Sequence, residues 1–259
     1  MIVSVTCLRN EEDIVEAFVR YHCARVHRMV IADHDSEDGT PRILERLRRS
    51  GLPVEIRHVG GEAFPQAEIL TRLIRETAVQ FVPDWVVPLD ADEFIRGDLD
   101  RLAAVDAVVE LPWRTYVPTP GDALDGDPIR RIVHRRRREE PQFSKVAIPR
   151  PVFSDPAFRL AEGSHAVERP AAATCVIDGL TLGHFPVRSE EQVRRKAANF
   201  ARRALVPGML PGQSYHLARL AEECRRRGTF SAEDLQHLAA TYAATGPVDE
   251  SLVHDPLGP

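Results

Sequence analysis

The sequence predicts an α/β protein, a mostly parallel sheet flanked by helices with a helical extension at the C-terminal end. Two observations predict the sheet. Short β-branched apolar runs alternate with amphipathic stretches through the first ninety residues, the order produced by parallel strands joined through crossover helices. The runs are almost wholly apolar, as strands covered on both faces must be. A third observation predicts the extension: beyond residue 188 the apolar residues recur at helical spacing.

Residues 2–7 read as the first strand. Asn10 is placed to cap the following helix, with Glu11, Glu12 and Asp13 in its first turn, where the helix dipole favours acids. Ile14, Phe18 and Tyr21 form its apolar face. Residues 29–32 are the second strand, followed by a polar loop from Asp33 to Gly39. Thr40 as N-cap and Pro41 at the first helical position open the next helix, and Gly51 stands at its C-terminal cap. Residues 54–59 are the third strand. A helix after Pro65 carries Ile69, Leu70, Leu73, Ile74 and Phe81 at helical spacing. Residues 85–89 are the fourth strand, with Asp90-Ala91-Asp92-Glu93 at its carboxyl end. From Ala107 short strands replace the alternation, at 108–113, 145–148 and 174–177. Ser189 and Gln192 make a capping box for a helix striped by Val193, Ala197, Phe200, Ala201 and Ala204. Two further helices are predicted at 215–227 and 232–243, and a loose tail closes the chain.

The 259 residues suit one large α/β domain, placed at 1–187, with a helical extension over 188–259. A net charge of −5 argues against bulk attraction to nucleic acid. Cys7, Cys23, Cys175 and Cys224 form no C-x-x-C pair, so free thiols in a reducing compartment are expected rather than a zinc site or disulfide framework. No apolar run reaches the roughly 20 residues that span a bilayer, and the apolar start is too short for a signal peptide. A soluble cytoplasmic protein is the expectation.

Two constellations carry chemistry. If Asp90 and Asp92 lie on an extended segment they point the same way, and two carboxylates can then converge on one divalent cation. A D-x-D triplet alone is usually a solvated turn; its place directly after an apolar strand is what favours the metal reading. The second is Asp33-His34-Asp35-Ser36-Glu37-Asp38-Gly39-Thr40. It reads equally as a capped loop and as a place where a carboxylate accepts hydrogen bonds from a nucleobase or ribose.

These residues carry a resemblance. The first strand running into Arg9-Asn10-Glu11-Glu12, the D-x-x-S-x-D-G-T loop and Leu89-Asp90-Ala91-Asp92-Glu93-Phe94 are similar to family-2 glycosyltransferases of the GT-A type, whose sheet is Rossmann-like. Trp85, Pro112-Trp113, Lys145-Val146 and His184-Phe185-Pro186-Val187-Arg188-Ser189 resemble a branch related to family-92 (DUF23-type) transferases. The match covers residues 1–204. It implies transfer of a sugar from a nucleotide-diphosphate donor, a UDP-sugar, to an acceptor hydroxyl with inversion, assisted by Mn²⁺ or Mg²⁺. The acceptor would be a carbohydrate, a lipid-linked molecule or a small molecule. By the same resemblance Asp33 and Asp38 lie on the donor side. Asp90 touches ribose or a metal-bound water, Asp92 ligates the metal, and His184 is a late metal ligand or diphosphate contact. Lys145 and Arg188 oppose negative charge on the diphosphate or acceptor.

An inverting displacement needs a base for the acceptor hydroxyl. The Glu-Asp pair that often marks it in the family is missing, which leaves Glu162, His165, Glu110 and Asp125 as candidates. The run Arg130 to Arg138 is followed by Glu139 and Glu140 and lacks interleaved aromatics, so solvated arginines on a strand or hairpin are expected. A peripheral contact with anionic lipid is the alternative. Three rivals were weighed. A haloacid-dehalogenase-type phosphatase places its D-x-D earlier and has no Phe94 there. A nucleotidyltransferase needs a glycine-rich loop after the first strand. A degenerate transferase kept as a nucleotide- or carbohydrate-binding module would not need both aspartates.

Overall fold

A computed structural model describes residues 1–61, 65–123, 126–204 and 215–258. In chain order these form β1 (Ile2–Leu8), α1 (Val15–Cys23), β2 (Arg28–Asp33), α2 (Thr40–Arg49), β3 (Val54–His58), α3 (Gln66–Phe81), β4 (Trp85–Pro88), β5 (Glu93–Arg96) and β6 (Val108–Thr115). There follow α4 (Pro128–Arg131), β7 (His134–Arg136), β8 (Ser144–Pro149), α5 (Arg150–Phe153), β9 (Arg159–Leu160), β10 (Val167–Arg169), β11 (Thr174–Val176) and β12 (Thr181–His184). The chain ends in α6 (Glu190–Ala204), α7 (Tyr215–Arg226), α8 (Ala232–Ala240) and β13 (Leu252–His254).

The described residues divide into two compact units. The first takes Met1–Gly61, Pro65–Trp113 and Phe143–Gly183; the second takes Arg114–Gln142 and the chain from His184 onward. The sheet of the first unit has the order β3-β2-β1-β4-β8-β6-β12-β5, with β11 beside β6. Strands β3, β2, β1 and β4 are parallel neighbours, whereas β8 pairs antiparallel with both β4 and β6. Every residue of β1 is buried, as its central place between β2 and β4 requires. The α/β architecture read from the alternation is therefore the one the chain adopts.

Helix α1 locks β5, the strand that follows the D-x-D, to this sheet. Phe94 packs edge-on against Phe18 and Tyr21 at 6.0 and 5.3 Å and stacks on His22 at 5.6 Å. The Tyr21 hydroxyl donates to the Ile95 carbonyl at 2.7 Å. His22 is fully buried. Its Nδ1 lies 2.9 Å from the Phe18 carbonyl, and its Nε2 accepts from the Ile95 amide at 3.3 Å. A carbonyl can only accept, so the proton sits on Nδ1 and the ring is neutral.

Local chemistry moves several boundaries. Asn10 is not the cap of α1: its φ is +57°, and it faces the next loop instead. α2 is capped by Gly39, with Thr40 already inside the helix, because the Thr40 hydroxyl accepts from the Glu11 amide at 2.9 Å. Ser189 Oγ accepts from the Gln192 amide at 3.2 Å as foreseen, but Gln192 Oε1 reaches the Arg188 amide at 3.1 Å. A full capping box, unforeseen, opens α8 at Ser231 and Asp234.

In the second unit the closing residues are not loose. β13 pairs antiparallel with β7, Asp255 meets Arg135 at 2.5 Å, and Tyr116 donates to the Asp255 carbonyl at 2.8 Å. The basic run is likewise not uniformly solvated. Arg136 is buried at 3% exposure and donates to the carbonyls of Ala239 and Tyr242 at 2.8 and 2.7 Å, at the C-terminal end of α8, where a cation opposes the helix dipole. Arg137 and Arg138 do face solvent. All four cysteines are free, and among the described residues no helix is long and apolar enough to cross a membrane.

Burial pulls the His22 pKa down to about 3. The unfolded chain, near the ordinary 6.5, binds that proton more readily, so the contribution to stability is present above pH 6.5 and is lost as pH falls toward 3. Urea denaturation is expected to show stability dropping by up to about 1.4 kcal/mol per pH unit in that window. His22→Gln should flatten that slope.

Candidate functional site

The site is built where the parallel strands end. Asp33 closes β2 opposite Leu8 of β1. Across β1, Pro88 of β4 stands opposite Val5, and the Leu89 amide continues the ladder to the Val5 carbonyl at 3.0 Å. Asp90 and Asp33 therefore flank the end of β1 from its two neighbours. Cys7 senses both: burial pushes its thiol up to about 12, and the charges of Asp90 and then Asp33 push the same way.

The two motif loops are stitched to each other. Asn10 N–H donates to Ser36 Oγ at 2.9 Å, and the Glu37 amide donates to Asn10 Oδ1 at 2.7 Å. The Glu12 amide donates to Asp38 Oδ2 at 3.2 Å, and Gly39 N–H donates back to Glu12 Oε2 at 2.8 Å. Asp38 Oδ1 takes the Thr40 amide at 2.9 Å. A Cβ on Gly39 would stand 2.7 Å from Glu12 Oε2, so a larger residue there would push the Glu12 carboxylate aside. Asp38, expected on the donor side, is engaged in this loop contact through both oxygens. Asp33 is different. It is 3% exposed; its Oδ1 is buried without a hydrogen-bond partner, and Oδ2 lies 3.9 Å from His58. An unmatched buried carboxylate oxygen costs on the order of 1–3 kcal/mol, and a donor from a ligand would remove that cost.

Asp90-Ala91-Asp92 is a turn rather than an extended segment, closed by the Glu93 amide on the Asp90 carbonyl at 3.1 Å. The chain has to change direction there to enter β5. Asp90 Oδ1 accepts from Gln66 Nε2 at 2.7 Å, and Oδ2 accepts from Lys145 Nζ at 2.7 Å. Glu93 is fully buried beside them. Its Oε1 accepts from Trp113 Nε1 at 2.8 Å, and Oε2 accepts from the Asp90 amide at 2.8 Å and lies 3.6 Å from Lys145.

Lys145, which the resemblance sets against the diphosphate or acceptor, is only 1% exposed. Burial works against its charge, but Asp90, Glu93 and Asp92 outweigh it and hold its pKa above the usual lysine value. Burial pushes Glu93 up to about 8; Lys145 opposes this, while Asp90 and Asp92 reinforce it. Gln66 and Glu93 were not singled out from sequence. Glu93 had a visible signal, an acid entering an apolar strand, whereas Gln66 at the start of α3 had none.

Among the described residues no group of three His, Cys, Asp or Glu side chains is preformed around a metal. Such a cage is not what a nucleotide-bound Mg²⁺ or Mn²⁺ needs, since one or two carboxylates plus phosphate oxygens suffice. Each Asp90 oxygen keeps a second lone pair beyond the hydrogen bond it accepts. Asp92 is 5% exposed and close enough to act on both Lys145 and Glu93. The donor set fits a divalent ion of this open kind.

The base candidates separate. Leu111 stands opposite Lys145 and Glu110 opposite Val146, so strand alternation puts Glu110 on the other face from Lys145 and Trp113. Glu162 is exposed in the turn Glu162–Ser164, and Asp125 lies outside the described residues. His165 is half-buried; its Nδ1 sits 2.7 Å from the Ser144 carbonyl. Burial, then Lys145, pulls its pKa below the ordinary value. His184 and Arg188 belong to the second unit. There His184 packs edge-on to Tyr242 at 5.4 Å, and Arg188, 2% exposed, donates to the Phe185 carbonyl at 3.0 Å.

No family model matches the sequence, and no curated protein does. Solved structures match at low identity. S. aureus TarS 1–349 in complex with UDP has a TM-score of 0.46 at 13% identity, over 88% of this chain and 73% of that one. HddC from Yersinia pseudotuberculosis has 0.41 at 10%, over 75% and 97%. The mannosyltransferase PcManGT from Pyrobaculum calidifontis, in complex with GDP-Man and Mn²⁺, has 0.40 at 16%, over 93% and 80%. Likenesses this distant carry no argument about the reaction, which rests on the residues above.

Removing Lys145 would leave Asp90 and Glu93 without their cation. Lys145→Met is expected to lower unfolding stability by about 3 kcal/mol, measured in urea. Adding Asp90→Asn should recover part of that loss, and strictly additive effects in the double variant would contradict the coupling.

Proposed function

We propose that this chain is a GT-A-type glycosyltransferase, which moves a sugar from a nucleoside-diphosphate donor, a UDP-sugar, to an acceptor hydroxyl with inversion. The observation that carries the reading is the pair of acidic positions flanking the carboxyl end of β1, Asp33 on one side and Asp90 on the other. The crevice beyond parallel strands is where such sheets bind nucleotides. The unpartnered Oδ1 of Asp33 is suited to the N–H of a uracil ring or to a ribose hydroxyl. Asp90, held between Gln66 and Lys145, is the proposed contact to the ribose.

Mn²⁺ or Mg²⁺, bound by Asp92 with Asp90, would supply positive charge against the departing diphosphate. The chain's own residues do the rest. The Lys145 ammonium keeps the corner from repelling an anionic donor, and Glu93 fixes the turn through the Asp90 amide and the Trp113 indole. The acceptor class is left as a carbohydrate, a lipid-linked molecule or a small molecule, with peripheral membrane contact reserved for the lipid-linked case.

Calorimetry with UDP tests the reading. Wild type should bind UDP more tightly with Mn²⁺ than without, and Asp92→Ala should lose at least about tenfold of the Mn²⁺-dependent affinity, about 1.4 kcal/mol. Its circular dichroism should be unchanged. A folded Asp92→Ala protein with wild-type affinity in Mn²⁺ would remove the assignment.

A further inference from the structure

The carboxylates around the D-x-D turn are already engaged. Asp90 holds Gln66 and Lys145, and Glu93 holds Trp113 and the Asp90 amide. The Lys145 charge also reaches an imidazole, that of His165. His165 forms a trio with Trp113 and Phe143, its ring 5.6 Å from each, and those two rings are 5.3 Å apart. Trp113 is bound to Glu93, and residue 144, whose carbonyl meets His165, directly precedes Lys145. The imidazole is thereby tied from two sides to the residues that hold Asp90.

Its tautomer follows from one contact. The Ser144 carbonyl can only accept, so Nδ1 carries the proton and Nε2 keeps the lone pair. That edge of the ring lies against Gly163, where the chain comes close to it. Gly163 has φ +67°, and a Cβ there would stand 2.7 Å from both Nε2 and Cδ2. Burial, and after it the Lys145 charge, disfavours a charged imidazolium. A neutral imidazole held in one tautomer, with aromatic rings around it and a donor site next to it, has the attributes of a general base.

We infer that His165 is the general base of the transfer, with Trp113 and Phe143 flanking the acceptor ring beside it. The inference rests on the glycosyltransferase reading and adds the residue and the acceptor-side surface to it. The acceptor oxygen forms its bond to the anomeric carbon as the bond from that carbon to the diphosphate oxygen breaks. The electron pair leaves with the diphosphate, and the hydroxyl proton passes to His165 Nε2.

The test uses the full chain with UDP-glucose, UDP-galactose and UDP-N-acetylglucosamine as donors, methyl glycosides or water as acceptors, and UDP release as the readout. His165→Gln should slow release by roughly 100-fold or more, while UDP affinity by calorimetry stays within about threefold of wild type. His165→Ala should regain activity when imidazole is added, a rescue that a packing role would not produce. Nitrogen-15 NMR of the wild-type histidines, which needs no turnover, should show Nε2 of His165 unprotonated near neutral pH. The proposal is overturned by Nε2–H in that spectrum, by His165→Gln at wild-type rate, by no imidazole rescue in a variant that still binds UDP, or by a wild type that binds UDP yet releases none from all of these donors. Failure of wild type to bind UDP at all would instead remove the glycosyltransferase reading on which it stands.

Discussion

A buried ammonium needs anions around it, and a turn that gathers three carboxylates needs a cation within it. Lys145 and the Asp90–Glu93 turn meet both requirements at once. Two unit charges about 4 Å apart at an effective dielectric near 20 attract by roughly 4 kcal/mol, comparable with the several kcal/mol that desolvating each ion costs. The pair therefore adds little net stability. Its consequence is positional: neither partner can leave without stranding the other. Strand β8 has to enter beside β4 for the ammonium to arrive, and its antiparallel direction brings Ser144 and Lys145 to the end of the sheet where β4 releases Asp90. The switch from parallel to antiparallel pairing and the placing of the site are one event.

The motif loops show a related division of labour. Of the acidic and polar residues between Asp33 and Thr40, Ser36, Asp38 and Thr40 hold backbone amides of the loop after β1. The same amides could have been satisfied by water, but then the two loops would have been independent. Their mutual stitching explains physically why an R-N-E-E segment and a D-x-x-S-x-D-G-T segment occur in one chain. It also leaves Asp33, set back in β2, as the acid whose buried oxygen has no protein partner. Most of the motif builds the rim of the site, and one residue faces into it.

The α/β alternation was legible because parallel strands buried on both faces leave continuous apolar runs, and β1, β2 and β4 are such runs. The D-x-D was legible from its place after β4. What the sequence does not encode locally is pairing across long separations. Gln66 meets Asp90, Trp113 meets Glu93, and Lys145 lies 55 residues from the carboxylate it bonds. No period or spacing announces such contacts. The arginine run failed for the same reason: neighbours of one residue type have opposite environments, since Arg136 reaches helix carbonyls more than a hundred positions away while Arg137 and Arg138 face solvent. The tail read as loose because three residues of β13 are too few to show a period, and only β7 gives them a partner.

The charge balance of the corner bears on what a divalent ion would be for. Burial pushes the Glu93 pKa up and Lys145 opposes this, so one buried ammonium stands among the three acidic side chains of the corner before any ligand arrives. The fold thus already supplies the corner with one positive charge of its own. A divalent ion entering with a nucleotide would add two positive charges there, matched to an incoming diphosphate. On this reasoning Lys145 offsets part of the charge of the protein's carboxylates and would leave the charge of a bound ion to the substrate.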